Sequence, residues 1–286
     1  MKLAYYPGCV SRSTGKEMDA STRAVCSALD IELEELEDWN CCGATHVSNE
    51  LVSIGLAARN MAQTDLPIMT ACSICYSNLR SAAQRMDDPD IKAKVNAVLT
   101  KKYTGAQIRH ALDVMLEVLE KNDELVVVPL TGLKVAPYYG CLLTRPIGAG
   151  SPEFPTILEK LIKTLLASPL DFRLKTLCCG GPIFMPQELA AEDIAFKILR
   201  EAKVAGADAI VAVCPLCHLM LDVKQKALEQ KSKEKIGIPV LYVTQLVGIA
   251  LGLEPEALGL NMNSVSPMQI VNRVNEEAIE GQSVSP

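Results

Sequence analysis

Asn40-Cys41-Cys42-Gly43-Ala44 and Thr70-Ala71-Cys72-Ser73-Ile74-Cys75 recur further along the chain as Leu177-Cys178-Cys179-Gly180-Gly181 and Ala212-Val213-Cys214-Pro215-Leu216-Cys217. Upstream of each pair stands one more cysteine with a matching flank, Tyr5-Tyr6-Pro7-Gly8-Cys9 and Tyr138-Tyr139-Gly140-Cys141. Ten of the 11 cysteines thus follow one order, C…CC…C-x-x-C, used twice; 31 then 29 residues intervene in the first set, 36 then 34 in the second. Five positions do not fall twice into one pattern by chance. The chain is therefore read as two homologous halves, 1–131 and 132–258, joined near Pro129 to Gly132.

Working outward from the cysteines, short apolar runs precede the motifs: Lys2–Tyr6, Leu66–Ala71, Lys134–Tyr139, Phe172–Leu177 and Ala209–Val213. These read as buried strands. Gly15–Leu29, Asn49–Gln63, Phe154–Ala167 and Leu189–Ala205 carry apolar residues at helical spacing, and His110–Leu119 and Thr244–Gly252 predict a closing helix for each half. Strand–helix alternation predicts an α/β fold with a small, mainly parallel sheet flanked by helices in each half. The cysteine motifs then lie at strand-to-helix turns, where open α/β sheets place their sites and helix N-termini offer N–H groups to thiolates. Residues 259–286 turn to Asn, Ser, Pro and scattered charge and read as an extended C-terminal tail.

Composition excludes several classes. A net charge of -6, with no basic run and no aromatic-basic stripe, argues against nucleic acid. The uncharged stretch from Ile236 to Leu253 approaches the minimum for a membrane span, but Pro239, Thr244, Gln245, Gly248 and Gly252 interrupt it. A strand followed by a short amphipathic helix is the better reading. The N-terminal MKLAYYPGCV turns to Gly and Cys before a signal-peptide apolar region could form, so a cytoplasmic protein is expected.

In a reducing compartment, so many cysteines point to metal or redox chemistry rather than to disulfides. A C-x-x-C pair puts two sulfurs on one loop, and four thiolates suffice for tetrahedral zinc or for a cubane [4Fe–4S] cluster. The fifth thiolate of each set is surplus to either. It becomes useful where a cluster is larger or more open than a cubane, or where one sulfur bridges two irons. The bland alternatives are a four-cysteine zinc site, above all in the first half with its shorter spacing, and a thioredoxin-like dithiol at either C-x-x-C.

The duplicated C…CCG…C-x-x-C pattern resembles the cysteine-rich CCG domain family over nearly the whole chain. The best-known two-copy, free-standing member of that family is the B subunit of heterodisulfide reductase. The resemblance implies that Cys9, Cys41, Cys42, Cys72 and Cys75 hold one noncubane [4Fe–4S] cluster, and Cys141, Cys178, Cys179, Cys214 and Cys217 a second. It also implies a catalytic subunit that cleaves a small-molecule disulfide, such as that of coenzymes M and B, between the two clusters. Its implied partners are a ferredoxin-like C subunit with cubane clusters and a flavin-containing A subunit. The same halves occur in bacterial heterodisulfide-reductase-like complexes acting on other thiols or persulfides, and in modules passing electrons to a quinone; both remain alternatives.

Beyond the ten, Cys26 sits in a helical stretch and reads as a buried apolar thiol. His46 follows the first CCG motif and His218 the second C-x-x-C, so each could donate a proton to a departing thiolate or hydrogen-bond a cluster sulfur. His110 reads as structural. No G-x-G-x-x-G follows an expected strand and no C-x-x-C-x-x-C-x-x-x-C run exists, so electrons are expected to arrive from another subunit.

Overall fold

A computed structural model describes residues 1–44, 47–148 and 150–283. The first half contributes β1 (Lys2–Tyr5), α1 (Lys16–Ala28), β2 (Glu32–Glu35), α2 (Glu50–Met61), β3 (Ile68–Thr70), α3 (Ser73–Arg85), α4 (Pro89–Val98), β4 (Ile108–His110) and α5 (Ala111–Leu119). The second contributes β5 (Lys134–Tyr138), α6 (Ile157–Thr164), β6 (Ser168–Pro169), α7 (Glu188–Val204), β7 (Ala209–Ala212), α8 (Pro215–His218), α9 (Gln225–Ser232), β8 (Val240–Tyr242) and α10 (Val243–Ala250). A π-helical turn, Leu219–Val223, joins α8 to α9, and α11 (Met268–Ser283) ends the described chain.

The two sheets repeat one topology. Strand order is β2-β1-β3-β4 in the first and β6-β5-β7-β8 in the second, and every strand pair is parallel. The halves are two homologous α/β units. Within each half the chain leaves its first sheet strand for one edge, crosses back and reaches the other edge, so the loops after the inner strands open on one side.

The halves interlock reciprocally. Helix α1 of the first packs on α10 of the second, and α6 of the second packs on α5 of the first. A buried hydroxyl pair, Ser21–Thr244 at 2.6 Å, seals the first of these contacts. One apolar core therefore runs through the first half and on across the interface, while a smaller core fills the outer side of the second sheet under α7 and α9.

Three expectations need correction. Phe172–Leu177 is a series of turns, not a strand; the edge strand is Ser168–Pro169. Proline cannot donate to a ladder, and the chain then curls so that the Lys175 carbonyl accepts from Tyr139 and Gly140, capping β5, while Phe172 packs on Tyr138. The segment after 258 is not extended: α11 buries Ile270, Val271 and Val274 on one side, and Arg273 pairs with Asp208 at 3.2 Å. Helix α10 is buried on every side rather than amphipathic, because it lies between the two halves. Among the described residues, no helix is long and apolar enough to cross a membrane.

Candidate metal centres

In each half the first strand ends in a tyrosine, a left-handed glycine and the first cysteine. Gly8 (φ +78°) precedes Cys9, and Gly140 (φ +63°) precedes Cys141. The reason for glycine is visible in what a side chain would strike: a Cβ on Gly8 would stand 3.1 Å from the Cys75 sulfur, and one on Gly140 2.9 Å from that of Cys217. The sulfur of the last cysteine in each set thus rests over the glycine before the first. Tyr6 then donates to the Asn40 carbonyl (2.8 Å) and Tyr138 to that of Leu177 (2.7 Å). Each phenol pins the residue immediately before its Cys–Cys turn.

The C-x-x-C pairs open α3 and α8, with Cys72 and Cys214 as the N-terminal caps. Backbone N–H groups face the sulfurs there and in the CCG turns: Gly43 toward Cys41, Ala44 toward Cys42, Gly180 toward Cys178, Gly181 toward Cys179 at 3.4 Å, and Cys217 toward Cys214. Such donors stabilise sulfur in its charged form.

All five cysteines of the first set line one cavity of about 120 Å³, closed on its far side by Pro215, Leu216 and Leu219 of the second half. Four of the second set, Cys141, Cys179, Cys214 and Cys217, line a tighter recess of about 10 Å³ that also meets Ser73 and Ile74 of the first half. Cys178 joins that set through its neighbours: hydrogen bonds from Cys141 and Cys179 push its thiol down to about 2. Hydrogen bonds from Cys41 and Cys75 likewise push Cys42 down to about 3. Cys9 and Cys41 stand 4.0 Å apart, sulfur to sulfur. Among the described residues, no three His, Cys, Asp or Glu side chains close on a single point; the sulfurs ring the cavity walls instead.

The two sets meet. Cys72 is pushed up chiefly by its hydrogen bond to Cys214, which Cys217 and Cys72 together push down. Alongside, the Ser73 N–H and hydroxyl both donate to the Val213 carbonyl, at 3.2 and 2.6 Å. The N-termini of the two C-x-x-C helices therefore abut, and the sulfur pockets face one another across the interface.

The histidines serve other ends. His218 is buried behind Cys217, stacked on Tyr242 at 4.2 Å, and pushed down to about 4 by burial. Its Nε2 donates to the Val240 carbonyl (3.0 Å) and its Nδ1 faces Glu17 (3.7 Å), so neither nitrogen is left to donate to a sulfur. His110 caps α5, accepting from Leu112 N–H at 3.1 Å, and lies edge-on to Tyr76. These pairs are counterparts with the partners exchanged: the residue after each C-x-x-C packs on the residue that ends the sheet's last strand. His46 lies outside the described residues. Cys26 is fully buried in α1, and desolvation pushes its thiol up to about 12. Sequence reasoning missed Glu17, Asp222, Tyr242 and Asn263, a buried polar group beside His218 with no motif spacing to announce it.

A cysteine-rich domain model matches twice, at residues 3–80 and 135–222, covering both five-cysteine sets. The chain belongs to the cysteine-rich CCG family. Within it, the chain is 34% identical over 281 residues to the 8-methylmenaquinol:fumarate reductase membrane anchor subunit of Wolinella succinogenes, covering 94% of this chain and 99% of that one. It is 31% identical to the B subunit of the ferredoxin/F420H2-dependent CoB–CoM heterodisulfide reductase of Methanosarcina acetivorans, over 96% of this chain and 97% of that one. A protein of Archaeoglobus profundus that is itself similar to the B subunit of heterodisulfide reductase is 30% identical over 90% of this chain and 92% of its own. The chain is thus similar to heterodisulfide-reductase B-type subunits over nearly the whole length of each. Among solved structures, a hypothetical protein from Helicobacter pylori superposes with a TM-score of 0.74 at 14% identity, which shows the fold alone; the match covers 93% of this chain and 52% of that one.

Proposed function

We propose that this chain is the disulfide-reducing iron–sulfur subunit of a heterodisulfide-reductase-type complex. The observation that carries the reading is the abutment at Cys72 and Cys214, which turns the pockets of the two five-cysteine sets toward one shared interface. The donor sets fit: five soft thiolates, backbone N–H groups aimed at them and a glycine cradle beneath one sulfur suit a cluster in each half. Cys9, Cys41, Cys42, Cys72 and Cys75 would hold one noncubane [4Fe–4S] cluster, and Cys141, Cys178, Cys179, Cys214 and Cys217 the other. When bound, these groups supply one-electron transfer and iron that can accept a thiolate.

The protein's part is positioning. Apolar side chains, Ile74 and Leu216 among them, line both pockets and keep water from the interface. A disulfide lying there takes two electrons and two protons, its S–S bond breaks, and two thiols leave. The electrons would come from a ferredoxin-like C subunit with cubane clusters, supplied in turn by a flavin-containing A subunit. The test pairs iron analysis with an assay. Anaerobically purified protein should carry about eight irons per chain and reduce a cognate disulfide with a small artificial reductant. Cys75→Ala and Cys217→Ala should each abolish that activity. Stoichiometric zinc in one half, or full activity with one set emptied of iron, would refute the reading.

A second reading is favoured by the Wolinella relative, whose name ties it to a menaquinol-linked reductase. There the two clusters would carry electrons between a quinol and a partner without binding a disulfide. Electron paramagnetic resonance of the oxidised protein separates the two: added thiol alters the signal only if a disulfide is the substrate.

A further inference from the structure

Behind the second C-x-x-C, away from the sulfurs, two carboxyl groups from different halves share one buried pocket. Glu17 comes from α1, and Asp222 from the π-helical turn that follows α8; both are buried. Buried carboxylates are normally paired with a cation. Among the described residues, no lysine or arginine pairs with either. The titratable groups facing Glu17 are His218 and Asp222 from the second C-x-x-C segment and Tyr242 from the end of β8.

The hydrogen-bond directions place protons in this pocket. His218 donates from Nε2 to the Val240 carbonyl, where Asn263 Nδ2 also donates at 2.9 Å. Its Nδ1 therefore presents a lone pair to Glu17, and two acceptors 3.7 Å apart tolerate one another only if the carboxyl is protonated. Burial raises Glu17, and it pushes Asp222 up to about 6. Asp222 accepts from the N–H groups of Ser264 (2.6 Å) and Val265 (3.3 Å), and Ser264 is exposed, so the pocket reaches solvent on that side. On the other side Tyr242 lies within electrostatic reach of Glu17, Asp222, Cys214 and Cys72 at once.

We propose that Glu17 and Asp222 form a proton-loading pair, which takes up one proton from solvent when the cluster of the second five-cysteine set gains one electron. The proposal rests on the iron–sulfur reading above. The electron comes from the complex's one-electron donor, the proton from water at Ser264, and the only bond made is a carboxyl O–H. Tyr242 stands between the carboxyls and the sulfurs in this buried, low-dielectric region; negative charge added on its sulfur side favours the protonated acid, and the neutralised pair in turn favours the reduced site. Disulfide cleavage consumes two protons in an interface lined by apolar side chains, and this pair stores one of them beside it.

The test is a redox titration of iron-loaded protein across a range of pH, followed by electron paramagnetic resonance, with the first-half signal identified by its loss in Cys75→Ala. In wild type the second-half midpoint potential should fall with rising pH at one proton per electron. In Glu17→Gln with Asp222→Asn that slope should vanish while iron content stays unchanged. A flat wild-type profile, or an unchanged slope in the double variant, overturns the pair. Should the double variant not fold, Asp222→Asn alone, which removes the carboxyl still free to take up a proton while Glu17 stays protonated, should lower the slope. Infrared spectra of the protein stripped of iron supply an arm independent of any cluster: the carbonyl band of a protonated carboxyl should be present near neutral pH and disappear in Glu17→Gln. Its absence from wild type refutes the proposal. Lack of iron in the purified protein refutes the functional reading instead.

Discussion

Replacing Gly140 by alanine tests the cradle under the Cys217 sulfur. The backbone there has φ +63°, where an L-residue costs roughly 1–2 kcal/mol. The new methyl would also stand 2.9 Å from the sulfur, and crowding of that kind typically adds about 1–3 kcal/mol. Gly132 supplies the control, since it has φ +75° but nothing within 4 Å of its would-be Cβ. Gly132→Ala should therefore cost only the conformational part, roughly 1–2 kcal/mol, and the alanine's gain through the unfolded chain cancels between the two. Anaerobic urea unfolding should place Gly140→Ala below Gly132→Ala by about 1–3 kcal/mol. Gly8→Ala, with its sulfur at 3.1 Å, should fall between them. Iron and sulfide should drop by half in Gly140→Ala and stay constant in Gly132→Ala. Equal stabilities with full iron in both variants would show that the sulfur does not rest on that glycine.

Two other outcomes follow from the buried thiols and acids. Cys179→Ala should empty the second half of its iron and leave the first half's signal, whereas Cys26→Ala should change neither iron content nor activity; iron loss from Cys26→Ala would undo the assignment of ten ligands. Asp222 should make stability fall as pH rises. Its carboxyl ionises near 3.8 when unfolded and at about 6 when folded, so between those values the unfolded state binds fewer protons and gains ground, by up to about 3 kcal/mol at the top of the window. Asp222→Asn should remove that decline, and a wild-type curve that rises or stays level from pH 4 to 6 relative to the variant would reverse the sign.

The parts of the fold legible in sequence were those where periodicity and burial agree. Buried inner strands such as β1 and β7 are continuous apolar runs, and α2 and α7 have clear stripes. Strand β2 was not legible because its residues, Glu32-Leu33-Glu34-Glu35, are mostly acidic: it lies at the sheet edge, with Lys2 bridging Glu32 and Glu34, and Arg12 and Arg23 on Glu35. Helix α11 hid its stripe of Ile270, Val271 and Val274 among polar residues. The five-cysteine sets were legible because duplication doubled a rare residue. Glu17 and Asp222 were not, since they meet only through a contact between halves, 205 positions apart in the chain. Tyr6 and Tyr138 lay in between: the repeat flagged them, but only the folded turn shows each phenol fastening a Cys–Cys pair.

The exchange of helices between the two units bears on what would happen if the backbone were cut. The connecting segment runs over both borrowed helices, with Val128 donating to the Ala250 carbonyl and Leu130 to that of Leu165. Neither unit owns a full coat for its sheet: α1 is roofed by α10, and α6 by α5. A nick near Gly132 would leave two polypeptides that stay clasped, and either one produced alone would show the other's absence as a bare apolar flank. Seen this way, the covalent link contributes proximity rather than architecture, and the molecule is organised as a dimer whose subunits happen to share a chain.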